Sequence, residues 1–172
     1  MKRALVTTVL VLVLTTQTTV GQAADVPADE LHHLQNVFLA VLREKDTAKF
    51  LSYVGTHGVA FGIDAKFQTK KEIANEFRNK SGAYCFLFDS TCDGTTPTHR
   101  GERATRFCSV YEMLTFAKDA QVETSPGSHQ GKPQAYMRIT PHVLSCSNGS
   151  ESVEFIFTRF KDGWKLVAVP FS

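Results

Sequence analysis

Apolar residues recur at helical spacing from Ala28 to Val54. Leu31, Leu34, Phe38 and Val41 form one stripe, with Val37, Leu42, Leu51 and Val54 beside it. Asp46-Thr47 interrupts the stripe, and an aspartate in front of a new turn caps its free amide groups. The spacing therefore predicts a long helix to about Glu44 and a short one from Thr47 to Val54. After Gly55, His57 and Gly58, the run Val59 to Asp64 reads as a short strand. Thr69-Lys70-Lys71-Glu72 has the form of a capping box, in which hydroxyl and carboxylate satisfy free amides reciprocally. It predicts a helix with Ile73, Ala74 and Phe77 inward, ending near Ser81-Gly82.

Beyond Gly82 the pattern changes. Ala83 to Phe88 is a continuous apolar run, read as a buried strand, and Asp89 to Glu102 is a polar loop. Ala104 to Phe116 alternates, with Phe107, Tyr111 and Met113 on one face and Cys108, Val110, Leu114 and Phe116 on the other. That predicts a strand covered on both sides. Lys118 to Lys132, punctuated by Pro126-Gly127, reads as a second long loop, and Gln134 to Cys146 as a strand disturbed at Pro141. Ser147 to Ser150 turns the chain into its most strongly patterned segment. Two β-rich runs there flank Asp162-Gly163, and the one tryptophan, Trp164, follows the turn, where the apolar flanks predict burial. The order is α+β, helices first and an antiparallel sheet after them.

The first residues stand outside this fold. Lys2 and Arg3 precede an apolar run, Ala4 to Leu14, too short to span a bilayer, and Gly21-Gln22-Ala23 supplies the small residues of a cleavage site. Residues 1–23 are expected to be a signal peptide and 24–172 a single domain, secreted or periplasmic. Cleavage removes two of 19 basic residues and none of 17 acidic ones, leaving 17 of each. A neutral chain lacks the cationic surplus that displaces counterions from a nucleic acid, so that partner class is set aside. No second apolar stretch of membrane length follows.

Export favours disulfides among Cys85, Cys92, Cys108 and Cys146, and the lack of a Cys-x-x-Cys pair disfavours zinc ribbons and redox motifs. Three connectivities exist. Cys85–Cys92 closes a short local ring and is preferred, which leaves Cys108–Cys146. A hairpin centred on residue 125 opposes this second bridge, because it sets Cys108 opposite residue 142. Cys146 would then lie ~13 Å away along the strand, against a bridging reach of about 7 Å.

Chemistry-bearing motifs are sparse. There is no nucleophile elbow, no His-Glu-x-x-His and no phosphate-binding glycine loop, and nothing calls for a cofactor or a metal. His32 and His33 are adjacent, about 100° apart on a helix, and cannot ligate one ion as an i, i+4 pair would. Asn79-Lys80-Ser81 and Asn148-Gly149-Ser150 fit the glycosylation pattern.

The segment from Val37 to Asp46 resembles the first helix and its Lys-Asp turn in the nuclear transport factor 2-like superfamily, which includes ketosteroid isomerases, scytalone dehydratases and polyketide-cyclase-like proteins. Phe157 to Leu166, with Lys161-Asp162-Gly163-Trp164-Lys165 at its turn, is similar to that superfamily's final hairpin. The resemblance implies a cone-shaped α+β barrel: a curved sheet wraps the long helix, and the open end is a pocket. Its enzymes place an acid or imidazole base and tyrosine or acid donors inside the cone. Here Tyr53, Asp64, Tyr111, Glu112, Arg138, His142 and Arg159 are the residues of suitable type. None falls in a catalytic spacing, so no catalytic residue is assigned, and Tyr53, Asp64, Tyr111, Arg138 and His142 are taken as candidate ligand contacts. Asp64 also suits a turn, His142 a bulge beside Pro141, and Glu112 with Arg138 a cross-strand ion pair.

Three functions follow. The leading one is an exported, non-catalytic domain that binds a small, mostly apolar molecule in the cone, supported by 13 phenylalanines that either line a cavity or fill a core. The others are an isomerase, dehydratase or cyclase, and a protein-binding module of inhibitor or immunity type. A hollow cone with an unpaired buried carboxyl favours the enzyme. A filled cone with an exposed apolar sheet face favours a protein partner, or a homodimer through the sheet.

Overall fold

The apolar stripe of the first helix sets the architecture. The structure, a computed structural model, describes residues 26–62, 66–92, 109–116, 120–141 and 152–170. Helix α1 (Ala28–Arg43) buries Leu31, Leu34, Phe38, Val41 and Leu42, with Asp29 and Glu30 in its first turn and Arg43 in its last, charges that suit the helix dipole. Lys45 adopts φ 53°, and the amides of Lys45 and Asp46 close back onto the carbonyls of Leu42 and Val41. This left-handed cap ends the helix. Asp46 then accepts from the Lys49 amide at 2.8 Å and starts α2 (Thr47–Tyr53), as its position in the sequence predicts.

A short strand β1 (Val59–Phe61) and its antiparallel neighbour β2 (Lys66–Gln68) lead into α3 (Lys70–Asn79). The capping box forms: the Glu72 amide donates to the Thr69 hydroxyl at 3.3 Å, and the Thr69 amide to the Glu72 carboxylate at 2.7 Å. Within α3, Glu76 accepts from the Gln68 side-chain amide and from the Ala83 backbone amide, both at 2.7 Å. One carboxylate thereby fixes β2, α3 and the next element to each other.

That next element is a helix, α4 (Ala83–Phe88), where the sequence suggests a strand. A six-residue run that is apolar at every position fits either state, because it carries no polar positions whose period would separate them. The Cys85–Cys92 disulfide closes the segment, with Cα atoms 5.5 Å apart, and Asp89 between them accepts from the Thr91 amide and hydroxyl. Residues 110–116 are likewise helical, as α5 (Val110–Phe116), rather than the end of a strand. Ser109 and Glu112 make a second capping box, with amide-to-side-chain bonds of 3.2 and 3.0 Å. The Ser-x-x-Glu pattern was in the sequence, hidden by an accidental alternation of apolar residues. With a helix at this position, the strand register that opposed a Cys108–Cys146 bridge no longer applies; both cysteines lie outside the described residues.

The expected loop before Lys132 is largely strand: β3 (Gln121–His129) pairs antiparallel with β4 (Lys132–Thr140). Their turn is Gln130-Gly131, both at positive φ (50° and 73°), so the hairpin centre lies five residues beyond the one expected at 125. β3 is the sheet edge, which is why Pro126 is tolerated. A side chain at Gly127 would collide with the Tyr136 ring across the pair. The last hairpin, β5 (Val153–Phe160) and β6 (Gly163–Val169), turns at Lys161-Asp162, with the positive φ on Gly163.

The six strands run in the order β2-β1-β6-β5-β4-β3 in one curved, unclosed sheet. It is mixed rather than wholly antiparallel, because β1 lies parallel to β6 while the other pairings are antiparallel. Alternation sends Ala135, Met137, Ile139, Val153, Phe155, Phe157 and Leu166 to the side facing α1, and all are buried. The fold is α+β, helices packed on the inner face of a curved sheet.

Candidate functional site

Phe38 reaches from α1 into that inner face. Its ring lies 5.1 Å from Phe155, 4.9 Å from Phe157, 5.2 Å from Tyr53 and 5.8 Å from Phe50, mostly edge-on. Phe50 continues the cluster to Phe77 and Phe88. These side chains fill the space between helix and sheet, so Phe38, Phe50, Phe77, Phe88, Phe155 and Phe157 are core.

The concavity lies at the end of the sheet, where the β5–β6 turn approaches the start of α1. It is a half-open groove of about 390 Å³. Leu34 and Val37 of α1, Tyr53 of α2 and Trp164 of β6 give it apolar walls, and Glu30, His33, Lys49, Ser52, Asp162 and Lys165 surround them. Glu30 ties its ends together, accepting from the Trp164 indole N–H at 2.8 Å and pairing with Arg159 at 3.1 Å. Trp164 and Arg159 are registered partners on adjacent strands, which is how one carboxylate can hold both. Lys165 pairs with Asp162 at 3.1 Å and donates to the Ser52 carbonyl at 3.3 Å. The Lys165 hydrogen bond holds the Asp162 carboxyl below its usual range. Trp164 is half-buried, its indole packed on the edge of the core and facing the groove, less enclosed than its apolar flanks predict.

Of the expected contacts among the described residues, Tyr53 alone lies in this groove, and Arg159 stands next to it through Glu30. Burial pushes the Tyr53 phenol above its ordinary value. Tyr111 sits on α5 beneath the Lys45 ammonium, 3.9 Å from its ring centre, away from the groove. Arg138 projects from the outer face and pairs with Glu154 at 3.1 Å, replacing the Glu112–Arg138 pair that the strand reading implied. Glu112 is occupied by the α5 cap and by the Ser90 hydroxyl at 2.7 Å. Asp64, His142 and Asn148 lie outside the described residues, and Asn79 is exposed at the end of α3. Glu30, His33, Lys49 and Lys165 carry no sequence signal of a site, since only the fold brings residue 30 to residue 164.

Among the described residues no three or more His, Cys, Asp or Glu side chains gather to hold a metal ion, and no helix is long and apolar enough to cross a membrane. No protein-family model and no curated protein matches the chain. Solved structures similar in shape include two proteins of unknown function. One is a protein of unknown function with a cystatin-like fold from Nostoc punctiforme, 15% identical over 83% of this chain and 86% of that one, with a TM-score of 0.44. The other is a protein of unknown function of the DUF3225 family from Pectobacterium atrosepticum, 14% identical over 85% and 91%, with a TM-score of 0.47.

The raised Tyr53 pKa sets a pH dependence. Ionising this phenol costs more in the folded chain than in the unfolded one, so its contribution is complete below the ordinary value of 10.0 and is lost as pH rises through the folded value. Denaturant midpoints of the native chain should therefore fall faster above pH 10 than those of Tyr53→Phe. Parallel curves would contradict burial of the hydroxyl.

Proposed function

We propose that the chain is an exported, non-catalytic binding domain of the nuclear transport factor 2-like kind, and that it takes a small, mostly apolar molecule in the groove at the end of the sheet. One observation carries the reading: an aromatic and aliphatic cleft bounded by Trp164, Tyr53, Leu34 and Val37 stands open while the interior behind it is packed. Its volume is at the small end of the ~300–1,000 Å³ of ligand pockets. A buried carboxylate base must be free to reach substrate, and the groove's two carboxylates, Glu30 and Asp162, are already held by Trp164, Arg159 and Lys165, while its imidazole, His33, is exposed on α1. That geometry favours binding over isomerase or dehydratase chemistry. Nile red, a neutral apolar dye, should bind the native protein saturably at one site, and Val37→Asp should abolish it. No saturable binding, or binding indifferent to Val37→Asp, would refute the groove reading.

The outer face of the sheet supports a second reading, association through the sheet with another copy. Phe67, Ala60, Ala168, Ile156 and Tyr136 stand in register across five strands and make an apolar row. Phe67 at its end is 56% exposed, the one large apolar side chain so exposed among the described residues. Export is supported by the amino-terminal pattern and by the Cys85–Cys92 disulfide, a bond suited to an oxidising compartment. Protein recovered from its own host would test both. The expected intact mass lacks residues 1–23, and the expected sedimentation is that of a dimer which Ile156→Asp dissociates; a retained leader contradicts export, and a native monomer contradicts the sheet interface.

A further inference from the structure

The charges around the groove carry its ligand chemistry further, resting on the reading that the groove is a binding site. Both carboxylates that line it are neutralised in place. Glu30 spends one oxygen on the Trp164 indole and the other on Arg159, and Asp162 is paired with Lys165, whose ammonium also donates to the Ser52 carbonyl. Lys49 differs from these. It is an exposed groove-lining residue of α2, and its ammonium has no ion-pair or hydrogen-bond partner among the described residues. His33, exposed on α1, adds an imidazole to the same lining. The groove thus offers apolar walls together with one uncompensated cation.

We propose that the ligand is a small amphipathic anion, an apolar body with a single carboxylate head, whose body lies between Trp164 and the aliphatic side of α1 and whose head meets Lys49. A ligand of opposite charge is disfavoured on the same grounds. Trp164 and Tyr53 could face a cation, but the carboxylate that would accompany them, Glu30, is already occupied on both oxygens. A neutral ligand would leave the Lys49 charge unused. Lys49 is exposed, so its Coulomb contribution is modest and weakens with salt.

Trp164 is the chain's one tryptophan and lines the groove, so its emission reports occupancy directly. The test titrates native protein with decanoate, decanol and decyltrimethylammonium at low salt, following Trp164 emission and displacement of Nile red. Decanoate should bind up to about fivefold more tightly than decanol, the factor that about 1 kcal/mol for an exposed ion pair gives. Lys49→Met should remove that preference, Lys49→Arg should keep it, and added salt should shrink it. Equal binding of decanoate and decanol, tighter binding of the cation, or a preference that survives Lys49→Met would overturn the anion assignment. Nile red binding to the native chain separates the two levels: if the dye binds and decanoate has no advantage, the groove stands and the anion does not.

Discussion

Phe38 is the residue on which the two layers meet. It is fully buried and touches ring systems from α2 and from β5, so the long helix, the short helix and the sheet share one aromatic contact. Edge-to-face pairs of this kind contribute about 0.5–1.5 kcal/mol each beyond the area they bury. The consequence for function is steric. A curved sheet around a helix could enclose a cavity, but here the space is taken by Phe38, Phe155, Phe157, Phe50 and Tyr53. Whatever the domain binds is displaced toward the end of the sheet, where the filling stops at Tyr53 and Trp164.

Glu30 completes that displaced site. A carboxylate in the first turn of a helix is favoured by the dipole, and this one also satisfies an indole N–H and a guanidinium from the closing hairpin. Arg159 is exposed, so the ion pair itself contributes little, and the hydrogen bond from the half-buried Trp164 indole is the firmer part of the tie. It fixes the distance between α1 and the β5–β6 turn, and hence the width of the groove. The same arrangement withdraws Glu30 from acid–base work and leaves Lys49 as the odd charge.

The sequence revealed most where local rules act alone. Asp46, the Thr69–Glu72 box and the alternating final hairpin are short-range devices, and each appears where its residues predict. It misled where the apolar and polar positions carry no clear period. Ala83 to Phe88 is apolar on every side, so no period distinguishes strand from helix. Gln121 to His129 carries Pro, Gly and Ser, yet it forms an edge strand because Tyr136 and the Gln130-Gly131 turn hold it in register. The groove was the least legible part. Tyr53 was recognisable by residue type, while Glu30, Lys49 and Trp164 become neighbours only after the sheet has formed, at separations that no motif spans.

Xenon under pressure tests whether the interior is solid, because this gas enters dry apolar cavities that exclude polar ligands. The methyl resonances of core residues such as Leu42 and Leu166 would be followed by NMR in the native chain and in Phe38→Ala. That variant should lose about 3–5 kcal/mol and open a cavity that xenon fills. Native protein should show no saturable xenon shifts at those methyls, and Phe38→Ala clear ones. Saturable shifts in the native protein would mean the cone is hollow behind Tyr53, and the binding site would belong there instead.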